Sequence, residues 1–145
     1  MHNGPPMPDS TSCPCGRTDA KGRPLAHAQC CGRFLDHFES TAAPDAESLM
    51  RSRYSAFVRE NAPYLLATWH ASQRPATLDF EPGARWLGLD VRSHTQQDET
   101  HAQVEFVARL RDAGGRASRL HEKSRFVREQ DEAGTWRWYY LDAAG

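Results

Sequence analysis

Four cysteines stand near the start of the chain, as Cys13-Pro14-Cys15-Gly16 and Cys30-Cys31-Gly32, and none follows Cys31. Thiolates are strong donors to zinc, which takes four ligands in a tetrahedron. Two pairs separated by the stretch Gly16 to Gln29 meet that demand. Pro14 is expected to hold the first pair extended, with both sulfurs on one side. Adjacent Cys30 and Cys31 converge only where the backbone bends sharply, and Gly16 and Gly32 are placed to supply positive φ at the two bends. A closed set of thiolates implies a structural zinc ion rather than a Lewis acid. Arg17, Lys21, Arg33 and backbone N–H groups are the expected counterweights to its negative charge. Two other readings of the cluster stay open: His27 or His37 replaces one cysteine, or the vicinal thiols serve redox or metal-handling chemistry.

A second set of residues breaks the apolar pattern further on. In the strand reading of His121 to Arg128, Leu120 and Phe126 face the core, and period two carries Glu122 and Ser124 inward with them. A buried carboxylate calls for a cation, and Arg53 on the apolar face of a predicted helix is the first choice, with Arg51 and Arg125 behind it. The pair has two readings: a buried ion pair joining helix to sheet, or the polar floor of a ligand cavity. His70 is a candidate base there, or a cap on the last helical carbonyls. Tyr54, Trp69, Trp86, Trp138 and Tyr140 are candidate lining residues or core filling. His94 and His101 are expected in solvent.

These groups need elements to position them. Asp45 is a plausible N-cap for a helix from Ala46 to about Arg59, with Leu49, Met50, Arg53, Tyr54, Phe57 and Val58 on one face. Asn61 interrupts it, and Pro63 opens a short second helix carrying Tyr64, Leu65, Leu66 and Trp69. Strands follow over Arg85 to Ser93, His101 to Arg111, Ala117 to Glu129 and Thr135 to Asp142, with turn signals at Asp112-Ala113-Gly114-Gly115 and from Asp131 to Gly134. Helices first and an antiparallel meander after them predict an α+β fold with helices on one face of the sheet.

The chain has 145 residues, about one domain with a small appendage. Its 18 basic and 19 acidic residues leave a net charge of -1, with no electrostatic footprint for nucleic acid or an anionic membrane. Ile is absent and Leu and Val are scarce, so aromatic rings are expected to supply the core area. Residues 1 to 40 hold few strong core formers and need a staple to order. Met1 to Ser10 carries no basic end followed by an apolar run, and no later run has membrane-spanning length. A cytoplasmic, reducing location is therefore expected, which disfavours disulfides.

The cysteine pattern resembles the SEC-C motif, a small zinc-binding element. Downstream, Glu47-Ser-Leu-Met-Arg-Ser-Arg-Tyr-Ser-Ala-Phe57, Tyr64-Leu-Leu-Ala-Thr-Trp-His70, Trp86-Leu-Gly-Leu89, Val104-Glu-Phe-Val-Ala108, His121-Glu-Lys-Ser-Arg-Phe126 and Trp136-Arg-Trp-Tyr-Tyr140 resemble the YchJ family in order. The spacer between the cysteine pairs is longer than usual for the motif, and its final pair is Cys30-Cys31 where Cys-His is common. The polar, Pro-rich start is expected to be disordered over residues 1–12, and the resemblance implies a SEC-C-like zinc module over 13–40. Over 41–145 it implies a nuclear transport factor 2-like domain, a curved sheet of about four strands wrapped around helices as an open cone. The expected function is binding: the zinc module offers Arg17, Arg33, Phe34 and Leu35 to a protein partner, and the cone takes a small molecule. The second expectation is an enzyme with His70 or Glu122 as base and Arg53 orienting an anion. Either suits a monomer or a homodimer.

Overall fold

The computed structural model describes residues 11–144. The expectation of disorder over residues 1–12 lies outside the described residues up to position 10. Thr11 and Ser12 are tied in, since the Thr11 carbonyl accepts the His27 N–H at 2.7 Å and Ser12 bridges Ala26. A 3-10 turn at His27–Gln29 and the single-turn helix α1 (Gly32–Leu35) precede α2 (Ala46–Val58) and α3 (Ala62–Ala67). Strands β1 (Arg85–Gln96), β2 (His101–Arg111), β3 (Ala117–Gln130) and β4 (Trp136–Ala143) form one antiparallel meander in sequence order. No helix among the described residues is long and apolar enough to cross a membrane.

Helix α2 begins where Asp45 accepts the Ser48 N–H at 2.7 Å. It ends in a Schellman turn: Asn61 N–H reaches the Ala56 carbonyl and Glu60 N–H reaches Phe57. The left-handed residue of that turn is Glu60, at φ 54, where glycine is usual. Asn61 then caps α3 through the Tyr64 N–H. After α3 the chain straightens and pairs with β4, Tyr140 N–H donating to the Thr68 carbonyl and His70 N–H to that of Tyr140. That pairing fixes Trp69 edge-to-face against Tyr140, with ring centroids 5.5 Å apart.

Strand β1 runs three residues beyond the expected Ser93, and register shifts at Trp86/Gly88 and Val91/Ser93 bend it. On β3, Ser124 and Phe126 are buried, Glu122 is half-buried and Leu120 is 42% exposed. The inward face is as expected, but Leu120 sits at the rim instead of in the core. The core is rich in rings: Phe106, Phe126, Trp138, Tyr54 and Tyr64 are all buried, and the Tyr64 hydroxyl is satisfied by Ser52 Oγ at 2.6 Å.

Helix α2 is buried on two sides. Leu49, Met50, Arg53 and Tyr54 face the sheet, as the spacing predicts. Ser48, Ser52 and Ser55 are buried as well, and this small-residue face receives the cysteine segment. At the other end of that segment, Arg137 of β4 lies 4.2 Å over the Phe38 ring and donates to the Glu39 carbonyl.

The β3–β4 turn is held by Asp131, whose carboxylate accepts from Arg137 Nε at 2.7 Å and from the N–H groups of Ala133 and Thr135. The Arg137 bond foremost, then the Thr135 N–H, holds this carboxyl below the ordinary carboxylate range. A depressed folded-state pKa contributes stability above the unfolded value near about 4, and that stability is lost as pH falls through the folded value. Asp131→Asn should therefore lower the thermal midpoint clearly at pH 7 and much less at pH 3, as read by circular dichroism melts; equal losses at both would contradict this.

Candidate metal centre and ligand cavity

The first cysteine pair lies in a β-turn rather than an extended segment. Gly16 N–H closes on the Cys13 carbonyl at 3.2 Å, Pro14 takes the corner its fixed φ favours, and Gly16 leaves the turn at φ 77. The segment then folds back on itself: Cys13 N–H donates to Leu25, Leu25 N–H to Arg17, and Asp19 N–H to Arg23. At the second pair the sharp bend is at Cys30, with φ -127 and ψ -115, and Cys31 is already helical as the N-cap of α1. Gly32 is needed for a different reason than expected. Its φ is not positive; a Cβ there would fall 2.7 Å from the His27 carbonyl oxygen.

These bends bring the four sulfurs within 4.8 Å of one another, all buried, with Cys15 and Cys30 Sγ 3.6 Å apart. His27 Nδ1 lies 3.6 Å from Cys13 Sγ, and its Nε2 lies 3.2 Å from Arg59 Nη1. A guanidinium can only donate, so Nε2 must accept, the imidazole proton sits on Nδ1, and Cys13 sulfur receives it. His27 thus supports the Cys13 sulfur from a buried position, while His37 is exposed. Asp36 holds Arg59 from behind at 3.7 Å. The Ser55 hydroxyl of α2 also reaches Cys13, at 3.5 Å.

The cations around the cluster differ from the expected set. Arg33 does serve, donating to the Cys30 carbonyl at 2.9 Å, and Arg51 does the same for Cys15 at 3.1 Å. Arg17 instead bonds Ser48 and Glu47, and Lys21 is exposed at the tip of the Asp19 turn. Hydrogen bonds from Cys15, then Cys30 and Cys31, drive the Cys13 thiol far below its ordinary value. At Cys15 the contact with Cys13 raises the pKa, those with Cys30 and Cys31 lower it, and it settles at about 7. Cys30 and Cys31 are pushed well up, by Cys13 first and Cys15 second. Four buried sulfurs this close cannot all ionise without a cation among them, and a divalent ion at their centre removes the conflict. The four cysteines can hold a metal ion.

A cavity of about 240 Å³ opens between α2 and the inward face of the sheet. Arg53, Tyr54, Trp69, Trp86, Glu122, Ser124 and Tyr140 all line it, as the sequence suggested for each of them. Arg53 and Glu122 do not form the anticipated ion pair. Arg53 Nη1 donates to the Leu65 carbonyl and Thr68 Oγ1, both at 2.7 Å, and its plane lies over Tyr140 and Trp69. Glu122 Oε2 accepts from Ser124 Oγ at 2.6 Å and from the Tyr140 hydroxyl at 3.0 Å. Tyr140 therefore links the two charges, ring to Arg53 and hydroxyl to Glu122. Burial lowers the Arg53 pKa to about 10, so it remains a cation at neutral pH.

Other expected participants lie elsewhere. His70 points into an open groove on the far side of β4, bonding Glu129 at 2.8 Å and Ser72 at 2.7 Å; Arg74 takes the Trp69 carbonyl instead of it. Trp138 is core filling between Leu49 and Tyr64. Arg51 pairs with Glu47 and Arg125 with Asp142, both away from Glu122. His94 is half-buried 3.8 Å from Glu47 rather than in solvent, whereas His101 is exposed beside Asp98. Phe34 and Leu35, expected on a partner surface, are buried.

Clustered cysteines ahead of helices and a four-stranded meander define a SEC-C-containing protein of the NTF2-like fold. Residues 45–143 match the family model described as YchJ, middle NTF2-like domain. A UPF0225 protein of Polaromonas naphthalenivorans is 63% identical over 139 residues, covering 92% of this chain and 96% of the relative; one of Bordetella pertussis is 53% identical, covering 98% and 97%. Among solved structures, a SEC-C motif containing protein from Psychrobacter arcticus superposes with a TM-score of 0.77 at 34% identity over 92% of this chain and 82% of that one. A SEC-C motif containing protein from Rhodopseudomonas palustris gives 0.73 at 28% identity over 93% and 98%. The chain belongs to the YchJ (UPF0225) family.

The hydrogen-bonded support of Cys13 is testable apart from the ligands themselves. Arg59→Met frees His27 Nε2 and with it the tautomer, and should weaken metal binding about 10- to 100-fold in a competitive chelator titration. Retention of wild-type affinity would mean that His27 only packs against the cluster.

Proposed function

We propose that this protein is a cytoplasmic binding protein in which a structural zinc ion, held by Cys13, Cys15, Cys30 and Cys31, clamps the N-terminal segment onto α2, and in which the cavity under α2 takes a small ligand. Zinc suits four thiolates, and a tetrahedron with Zn–S bonds of about 2.3 Å sets its sulfurs roughly 3.8 Å apart. The Cys15–Cys30 separation of 3.6 Å is close to that value. With every position filled by protein, such an ion supplies structure and not a Lewis acid. Burial of all four sulfurs favours this role over thiol redox chemistry.

The observation that carries the ligand reading is the cavity's make-up. Its walls are Met50, Phe57, Trp86, Phe106 and Phe126, and its polar groups are few and convergent, as in small-molecule sites. A polar link of Arg53, Tyr140 and Glu122 crosses a space left unfilled in a fold otherwise short of core residues. The second reading, an enzyme with Glu122 as base and Arg53 as anion-binding group, is favoured by both groups lining one open space; His70 has no part in it. Docking to a protein partner through the zinc module would rest on its exposed cations, since Phe34 and Leu35 are turned inward.

Phenol is a suitable neutral probe. Saturable NMR shift changes at Trp69 and Trp86 indole groups are expected on its addition. Ala108→Phe, which places a ring in the cavity, should abolish them while leaving the far-ultraviolet spectrum intact. Non-saturating changes, or ones insensitive to Ala108→Phe, would remove the ligand reading.

A further inference from the structure

We propose that the cavity selects a monocyclic aromatic carboxylate that carries a hydrogen-bond donor, such as a hydroxyl, across the ring from its carboxylate. This inference rests on the ligand-binding reading and names the chemistry of the occupant.

The acid end follows from Arg53. Its side chain is 7% exposed and makes no ion pair among the described residues. Only Nη1 is bonded, to Leu65 and Thr68. Nε and Nη2 have no protein acceptor among the described residues, and Arg53 lines the cavity. Those two nitrogens form the side-on edge of the guanidinium, the fork that receives both oxygens of a carboxylate. Tyr140 at 4.8 Å and Trp69 at 5.2 Å hold the guanidinium plane, so the fork is aimed before any ligand arrives.

The donor end follows from Glu122. Ser124 and Tyr140 both bond Oε2, and Oε1 has no protein partner among the described residues. A simple anion would satisfy Arg53 and be repelled by Glu122, and a simple cation would meet the reverse. A molecule with an acceptor at one end and a donor at the other satisfies both. Between the two ends the walls are flat rings: Trp86 packs against Tyr54 and Phe57, each with centroids 5.7 Å away, and Phe126 against Tyr140 at 5.8 Å. The volume of about 240 Å³ suits one substituted ring, since cavities of about 150 Å³ hold benzene.

Calorimetric titration of the metal-loaded full chain with 4-hydroxybenzoate, benzoate and phenol tests this. The hydroxy acid should bind about tenfold or more tightly than either benzoate or phenol, because each lacks one charge-assisted hydrogen bond. Arg53→Gln should cancel the preference for acid over phenol while phenol still binds. Should that variant fail to fold, Glu122→Gln decides, and it should narrow the advantage of 4-hydroxybenzoate over benzoate. Phenol binding as tightly as the acid in the wild type, or a preference unchanged in these variants, would overturn the inference and leave the ligand cavity standing. Binding of none of the three would remove both.

Discussion

Four sulfur atoms gathered in a dry pocket carry more potential charge than burial tolerates, and the structure is arranged around that conflict. The same segment has too little apolar area to order itself. One divalent cation would answer both needs, since it would neutralise the thiolates and close the two turns, Cys13–Gly16 and Cys30–Gly32, onto a common point. His27 and Arg59 act one layer out, and Asp36 one layer beyond that. The chain of donors runs inward to Cys13, so the cluster is fastened to the C-terminal end of α2 by directional bonds as well as by contact.

Helix α2 transmits that constraint to the cavity. One side is lined with Ser48, Ser52 and Ser55, small enough for the cysteine segment to approach closely, and the Ser55 hydroxyl meets Cys13 itself. The opposite side carries Met50, Arg53, Tyr54 and Phe57 over the sheet. A helix buried on two faces cannot tilt without disturbing both, so the metal centre and the cavity share one rigid wall. Tyr140 plays a similar part at the other side of the cavity, fixed by the pairing of Thr68–His70 with β4. The two sites are different chemically yet depend on the same placement of helix against sheet.

Much of this was legible in the amino-acid order. Asp45 and Pro63 announce their helices because helix starts are set by local geometry, and the alternation in His101–Arg111 announces β2 because it packs on one face. The inward course of Glu122 and Ser124 followed from period two. What period alone could not supply was the partner of Glu122: Arg53 points at the right cavity but gives Nη1 to α3 carbonyl and hydroxyl groups, and Tyr140 intervenes. His70 looked catalytic from its position after Trp69, yet pairing with β4 turns it to the opposite side. The serine stripe at 48, 52 and 55 is a signal of a second buried face on α2, one carried by small residues and not by large apolar ones. Gly32 shows the same limit, because its necessity arises from a carbonyl brought near by tertiary folding.

The most direct test of the metal staple is amide hydrogen exchange on the full chain, followed residue by residue with metal bound and after removal by a strong chelator. Loss of protection over residues 11–40 and on the serine face of α2, with β2 and β3 still protected, is the expected result. Protection unchanged across residues 11–40 in metal-stripped protein would contradict it, because the segment would then hold its fold without the ion.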